Sequence, residues 1–449
     1  MRNNLGPLGR KERMERHCGL METDGSAEQV QEEDAEQRAL PVQHQEVWSW
    51  GAGTEGQLGT AKLQDELLPQ LILPPSAAAA AAGSPISLLA CGGAHVIALT
   101  PGGRVLTWGR GTSGQLGHGE SMNSLQPKPV MALESFFITH ASAGWSHSGF
   151  VSDTGCLFTC GHGSFGQLGH GDYKSQCSPI EVSYFNSRHV KQIACGMRHS
   201  LVLLRGSVDA THSRDQVYGF GSGKRGQLGV SKARMGKINL PQVTLGLDDV
   251  EIVSICTNGD HSAALSADGH LYTWGRGFCG VSDAYCPQRL PSSLQFIQAA
   301  LGWSHAFALT GDGEVFMHGG NFHGVLSHPQ KMSPVMQFSE DSREADLMKV
   351  PGLEGIKVVQ IAAGAEHSGL VTEKGVIKMW GWGEHGQLGL GDTCDQTTPQ
   401  AVSLAQQISN NEHSVTKIFC GSGFTYAVPP LAVRIRWGKP IVLTDICLT

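Results

Sequence analysis

The chain has 449 residues, a net charge of -7, 40% hydrophobic residues, only 16% charged residues and 59 glycines. Glycine without a three-residue period excludes a collagen, and the hydrophobic content with nine tryptophans excludes a wholly disordered chain. An acidic chain without clustered Lys and Arg argues against a broad nucleic-acid surface, and no apolar run reaches the length of a membrane helix.

Residues 1-45 carry mixed charges (Arg10-Lys11-Glu12-Arg13-Met14-Glu15-Arg16, then Glu32-Glu33-Asp34-Ala35-Glu36) and read as a disordered segment. They contain no secretory apolar core. The arginines are compatible with organelle targeting, and the acidic residues oppose it. Twelve cysteines without a C-x-x-C pair imply reduced thiols inside the cell, in nucleus, cytoplasm or both, rather than disulfides or zinc.

From residue 46 the chain repeats. Gly-Gln-Leu-Gly begins at Gly56, Gly114, Gly166, Gly226 and Gly386, each time closing W-G-x-G-x-x-G-Q-L-G or a near variant, and diverged copies start at Trp274 and His318. A second signature, G-x-x-H, alternates with the first and ends at His95, His147, His199, His261, His305 and His367. A seventh copy, Gly421-Ser422-Gly423-Phe424, lacks the histidine.

The first Gly of the W-G pair is always six residues from the Gln position. The His is 14 residues from the next W-G glycine at five junctions and 22 at one, where Gly206 to Gln216 is inserted. Constant hairpins, turning at sequences such as Ser266-Ala267-Asp268-Gly269, and variable connections predict a propeller of antiparallel blades. The first strand, Val47-Trp48-Ser49-Trp50, lacks a G-x-x-H partner before it, and the last, Phe424 to Val428, lacks a W-G partner after it. Pairing these two strands predicts ring closure. The expected fold is all-β: a seven-bladed propeller of four-stranded antiparallel blades over 46-428, followed by a tail over 429-449.

These motifs resemble the regulator of chromosome condensation family, with Trp145 and Trp303 nearest its plant members. The resemblance implies the seven-bladed ring and offers several functions. A Ran exchange factor resembles such a ring with a wedge inserted after one W-G strand; here that interval stays at six residues. A UV-B photoreceptor resembles a ring with G-W-R-H-T on three consecutive blades. Here Gly144-Trp145-Ser146-His147-Ser148 and Gly302-Trp303-Ser304-His305-Ala306 are three units apart with Ser in place of Arg, so their indoles are expected not to meet.

The six motif histidines are expected to be structural, each ring bonding to backbone at a blade turn, with no metal spacing among them. Cys91, Cys195 and Cys420 share a slot filled elsewhere by small or apolar residues and read as packing. Trp50, Trp108, Trp274 and Trp380 read as core. Candidate partner contacts are Trp145, Trp303 and Trp382, which the repeat does not demand, with Arg205, Asp209 and Asp215 at the insert and Glu340, Asp341, Glu344 and Asp346 in an acidic stretch. The alanine-rich 74-85 and the short connection 281-293 are further irregular loops. No nucleophile elbow, phosphate loop or paired-carboxylate motif occurs. The sequence therefore favours a non-catalytic, regulatory protein-interaction scaffold without cofactor, metal, membrane or direct nucleic-acid contact. Its expected partners are proteins, a small GTPase or a chromatin protein among them. The alternatives are exchange on a Ran-like GTPase and, second, ultraviolet perception.

Overall fold

The computed structural model describes residues 45-72, 85-206, 214-231, 236-277, 282-320, 322-325, 327, 347-404 and 416-430. They form seven four-stranded antiparallel sheets. Blade 1 is Leu88–Cys91, His95–Leu99, Val105–Gly109 and Ser124–Pro129. Blade 2 is Ile138–Ala143, His147–Ser152, Leu157–Gly161 and Gln176–Glu181. Blade 3 is Val190–Cys195, His199–Leu204, Gln216–Ser222 and Lys237–Val243. Blade 4 is Ile252–Asn258, His261–Ser266, Leu271–Gly275 and Ala284–Arg289. Blade 5 is Phe296–Leu301, His305–Thr310, Val315–Gly319 and Met348–Lys349. Blade 6 is Val358–Ala363, His367–Thr372, Ile377–Gly381 and Gln396–Val402.

Blade 7 joins the two ends of the ring. Lys417–Cys420 and Phe424–Val428 pair with Trp48–Gly51 and Glu66–Leu71, with Trp48 opposite Ala427 and Gly51 opposite Phe424. The closure expected from chain order is therefore present, and it removes the edges an open fan would expose.

In each blade the second strand is buried throughout. Seven apolar clusters hold the sheets together, most of them spanning two neighbouring blades; Phe307 on Trp380 is one example, with ring centroids 5.6 Å apart.

The motif residues fasten one blade to the next. The Gln side chain of Gly-Gln-Leu-Gly folds back on its own loop: Gln57, Gln115, Gln167, Gln227 and Gln387 each accept from the amide two residues earlier, at 2.8–2.9 Å. Its backbone carbonyl faces the next blade. Ser148 Oγ donates to Gln115 O (2.7 Å), Ser200 to Gln167 O (2.8 Å), Ser262 to Gln227 O (2.7 Å) and Thr425 to Gln387 O (3.0 Å). With its one proton committed, each hydroxyl accepts from a histidine Nε2–H of the preceding blade: His95 to Ser148 and His147 to Ser200 at 2.9 Å, His199 to Ser262 at 3.0 Å, His367 to Thr425 at 3.1 Å.

The motif histidine rings thus bond from blade to blade, and the expected backbone partner is corrected to a side-chain hydroxyl one blade away. His261, facing Ala306 where its neighbours face Ser or Thr, turns instead to a carbonyl, that of Trp303 (2.6 Å). At the closure both polar partners are replaced together: Phe424 stands for the histidine and Val96 for the serine, in one apolar cluster. There Tyr426 Oη donates to Gln57 O (2.6 Å) and accepts from the Trp108 indole (2.8 Å).

The glycine of G-x-x-H is required by this latch. A Cβ on Gly364 would lie 2.0 Å from the His367 ring, and one on Gly421 2.2 Å from the Phe424 ring. The core tryptophans add to the latch, with the Trp50 indole donating to Gln387 O (2.9 Å), Trp274 to Gln227 O (3.0 Å) and Trp380 to Val325 O (2.7 Å).

Burial pushes His95, His147, His199, His305 and His367 down to about 3. The unfolded chain therefore takes up protons that the folded ring refuses, and stability present above the unfolded value near 6.5 drains away as pH falls from there toward 3. Urea midpoints should hold level from pH 8 to 7 and drop from pH 6 downward, each histidine contributing about 1.4 kcal/mol per pH unit. In the same series Ser200→Ala, which strands His147 and the Gln167 carbonyl, should cost about 2 kcal/mol at pH 8; a flat pH profile and a silent Ser200→Ala would refute the latch.

Candidate interaction face

Strand direction gives the ring two unlike faces. His95 pairs with Gly109 and Leu99 with Val105, so the G-x-x-H and W-G loops share one face, called here the loop face, and the tight turns such as Thr100-Gly103 lie on the other. The innermost strands surround a channel containing a cavity of about 260 Å³, whose lining includes Cys91, Ser142, Cys195, Trp145 and Trp303.

At the loop-face mouth a belt of backbone bonds runs from blade to blade. Gly93 N donates to Gly144 O, Trp145 N to Gly196 O, Met197 N to Gly259 O, Trp303 N to Ala365 O, Ala365 N to Ser422 O and Ser422 N to Gly92 O, at 2.8–3.1 Å. Between blades 4 and 5 a side chain carries the belt: Asn258, in the place of the usual glycine, donates to Leu301 O (2.7 Å) and Gly364 O (3.3 Å).

This belt brings Trp145 and Trp303 together, with ring centroids 5.4 Å apart and planes tilted by 46°. The expectation that they would not meet is overturned. Three units apart along a seven-membered ring is nearly opposite, and across a narrow mouth two inward-leaning indoles reach each other. Both are partly buried. The Arg110 guanidinium lies 5.7 Å from the Trp145 ring centroid and donates to Trp145 O and Ser146 Oγ, both at 3.2 Å.

Trp382 sits on the same face over blade 6. Its indole donates to Glu384 (3.2 Å), and its ring lies 5.7 Å from that of His323 and 5.1 Å from that of His385. Each histidine holds a carboxylate of the next blade, His323 with Asp395 (2.7 Å) and His385 with Asp65 (2.9 Å).

Of the remaining candidates, Arg205 and Asp215 are not brought to this site. Arg205 and Asp215 flank the insert at the turn face, where Asp215 pairs with Lys191 (2.5 Å) and accepts from Gly206 N (2.9 Å). Asp209, Glu340, Asp341, Glu344 and Asp346 lie outside the described residues. Trp50, Trp108, Trp274 and Trp380 are core, at most 2% exposed. The thiols of Cys195 and Cys420 are pushed up to about 12, chiefly by burial, and that of Cys91 is raised well above its ordinary value, which keeps them protonated and poorly nucleophilic.

Among the described residues no cluster of His, Cys, Asp and Glu could hold a metal ion, and no helix is long and apolar enough to cross a membrane.

The model of the RCC1-like domain matches residues 46–427. The chain belongs to the RCC1-like family. It is 28% identical over 363 residues to the ultraviolet-B receptor UVR8 of Arabidopsis thaliana, covering 79% of this chain and 77% of that one. It is 29% identical over 427 residues to the secretion-regulating guanine nucleotide exchange factor of Mus musculus, covering 90% and 86%. Among solved structures, Prp20p of Saccharomyces cerevisiae, described with its binding to Gsp1p and histones, superposes with a TM-score of 0.71 at 25% identity, covering 88% of this chain and 93% of that one.

The partly exposed pair should be dispensable for folding. Trp145→Ala with Trp303→Ala should cost under about 1.5 kcal/mol, against about 3–5 kcal/mol for Trp50→Ala, as read from urea midpoints; equal costs would make the mouth pair part of the core.

Proposed function

We propose that this RCC1-like propeller is a non-catalytic interaction platform with a regulatory role, and that protein partners dock on its loop face around Trp145 and Trp303. The observation that carries this reading is the indole pair itself. The repeat fills the same loop position with Gly93, Met197, Gly259, Ala365 and Ser422 in the other blades, so blade construction does not call for tryptophan there. Large, rigid aromatic side chains beside an arginine are the residue types that anchor interfaces.

Exchange activity on a small GTPase is the rival reading, supported by the likeness to the secretion-regulating factor. Against it, the six-residue interval between W-G and the Gln position leaves no room for a wedge in any repeat. Ultraviolet perception gains one ingredient from the contact of the two indoles. It still lacks the arginines, because Ser146 and Ser304 occupy those motif positions.

Proteins co-purifying with the full chain should be lost when Trp145→Ala and Trp303→Ala are combined and retained by Lys374→Ala at a turn of the opposite face. Nucleotide release from purified Ran should stay at its spontaneous rate. Retention of partners by the double variant, or accelerated release, would replace the platform reading.

A further inference from the structure

The loop face is electrically divided. Over blades 1 to 4 cations predominate, Arg110, Arg198, Lys224, Arg225, Lys237 and Arg276 against Glu120, Asp172, Asp260 and Asp283, with His162 and Phe165 among them. Over blades 5 to 7 it carries Glu55, Asp65, Glu366, Glu384 and Asp395. The repeat does not impose this division. The position after the W-G glycine is Ala52, Arg110, His162, Ser222, Arg276, Gly320 and Trp382 in chain order, and the one before the motif histidine or its replacement is Ala94, Ser146, Arg198, Asp260, Ser304, Glu366 and Gly423. At these two positions Arg110, Arg198 and Arg276 fall in one half and Glu366 in the other, with Asp260 as the exception.

The cations of this sector are crowded and incompletely neutralised. Arg198 and Lys237 lie over the same Phe165 ring, 5.1 and 4.9 Å from its centroid. Their charges add to burial in driving the neighbouring His162 toward its neutral form. Arg225 pairs with Asp283 (3.2 Å), and Asp260 is engaged by the Gln227 amide (2.9 Å). Among the described residues Arg110, Arg198, Lys224, Lys237 and Arg276 enter no ion pair.

Like charges gathered on one aromatic ring repel one another in the free protein, and an incoming carboxylate relieves that repulsion as it binds. The indole pair supplies an apolar anchor at the edge of the same sector, joined to it by Arg110.

We infer that this sector receives an acidic peptide segment of a protein partner, with carboxylates over Arg198, Lys237 and Arg276 and an apolar side chain on the Trp145–Trp303 pair. The inference rests on the platform reading and deepens it. The acidic half of the same face and the net charge of -7 disfavour a long polyanion such as a nucleic acid, which would be repelled beyond the sector. A short acidic segment stays within it.

The test is fluorescence anisotropy of the full chain with a labelled peptide of four glutamates flanking one phenylalanine, beside its glutamine and lysine counterparts and a single-stranded DNA oligonucleotide. The glutamate peptide should bind about tenfold tighter than the glutamine one, weaken about fivefold between 50 and 300 mM NaCl, and lose about tenfold when Arg198→Glu and Lys237→Glu are combined. Both changes are at exposed positions, and the urea midpoint confirms that the variant is folded. Lys357→Glu with Lys374→Glu, the same charge change toward the opposite face, should leave binding intact.

Equal binding of the glutamate and glutamine peptides, equal loss in the opposite-face variant, or tighter binding of the DNA would overturn the inference. If the peptide fails while partner capture still depends on Trp145 and Trp303, the acidic occupant falls and the platform stands. If the peptide binds but capture ignores the tryptophans, the platform reading fails on its own test.

Discussion

Four of the seven blade junctions are fastened by a three-part latch: a glycine that leaves room for a histidine ring, the histidine that donates to a hydroxyl on the next blade, and that hydroxyl's own bond to a glutamine carbonyl. Each latch joins residues 33 to 63 positions apart. It is buried, so its net value lies less in the bonds made than in the penalty for leaving any member unmade. The same burial keeps the histidines neutral, so the sensitivity to acid predicted above follows from the arrangement that fastens one blade to the next.

Much of this was legible in the sequence. The number of blades, the pairing of the terminal strands and the core role of Trp50, Trp108, Trp274 and Trp380 follow from period and strand order, because local turn chemistry and side-chain alternation report them directly. The hydroxyl partners were visible as well, though unread. Ser148, Ser200, Ser262, Thr425 and Ser368, the last 3.4 Å from His305 Nε2, each follow a motif histidine or its replacement, and Val96 appears where the preceding blade offers Phe424. A matched loss of donor and acceptor within one chain is a signal of contact that spacing alone does not provide.

The meeting of Trp145 and Trp303 was not legible. Spacing orders the blades around the perimeter and says nothing about the width of the channel mouth, across which side chains of nearly opposite blades meet. The division of the loop face by charge was hidden for a related reason. Arg110, Arg198 and Lys237 are far apart in sequence and belong to three different repeat positions, and only the shared face brings them around one end of the channel.

Repeat residues fix the ring, and under the proposed reading the residues between them set what docks on its loop face. Hydroxyl-radical footprinting of the full chain with a captured partner tests this most directly. The account predicts protection of Trp145, Met197 and Trp303 on the loop face and none at Met131 or Phe137, which are 63% and 46% exposed on the turn face. Protection of Met131 and Phe137 with the indoles still reactive would contradict it.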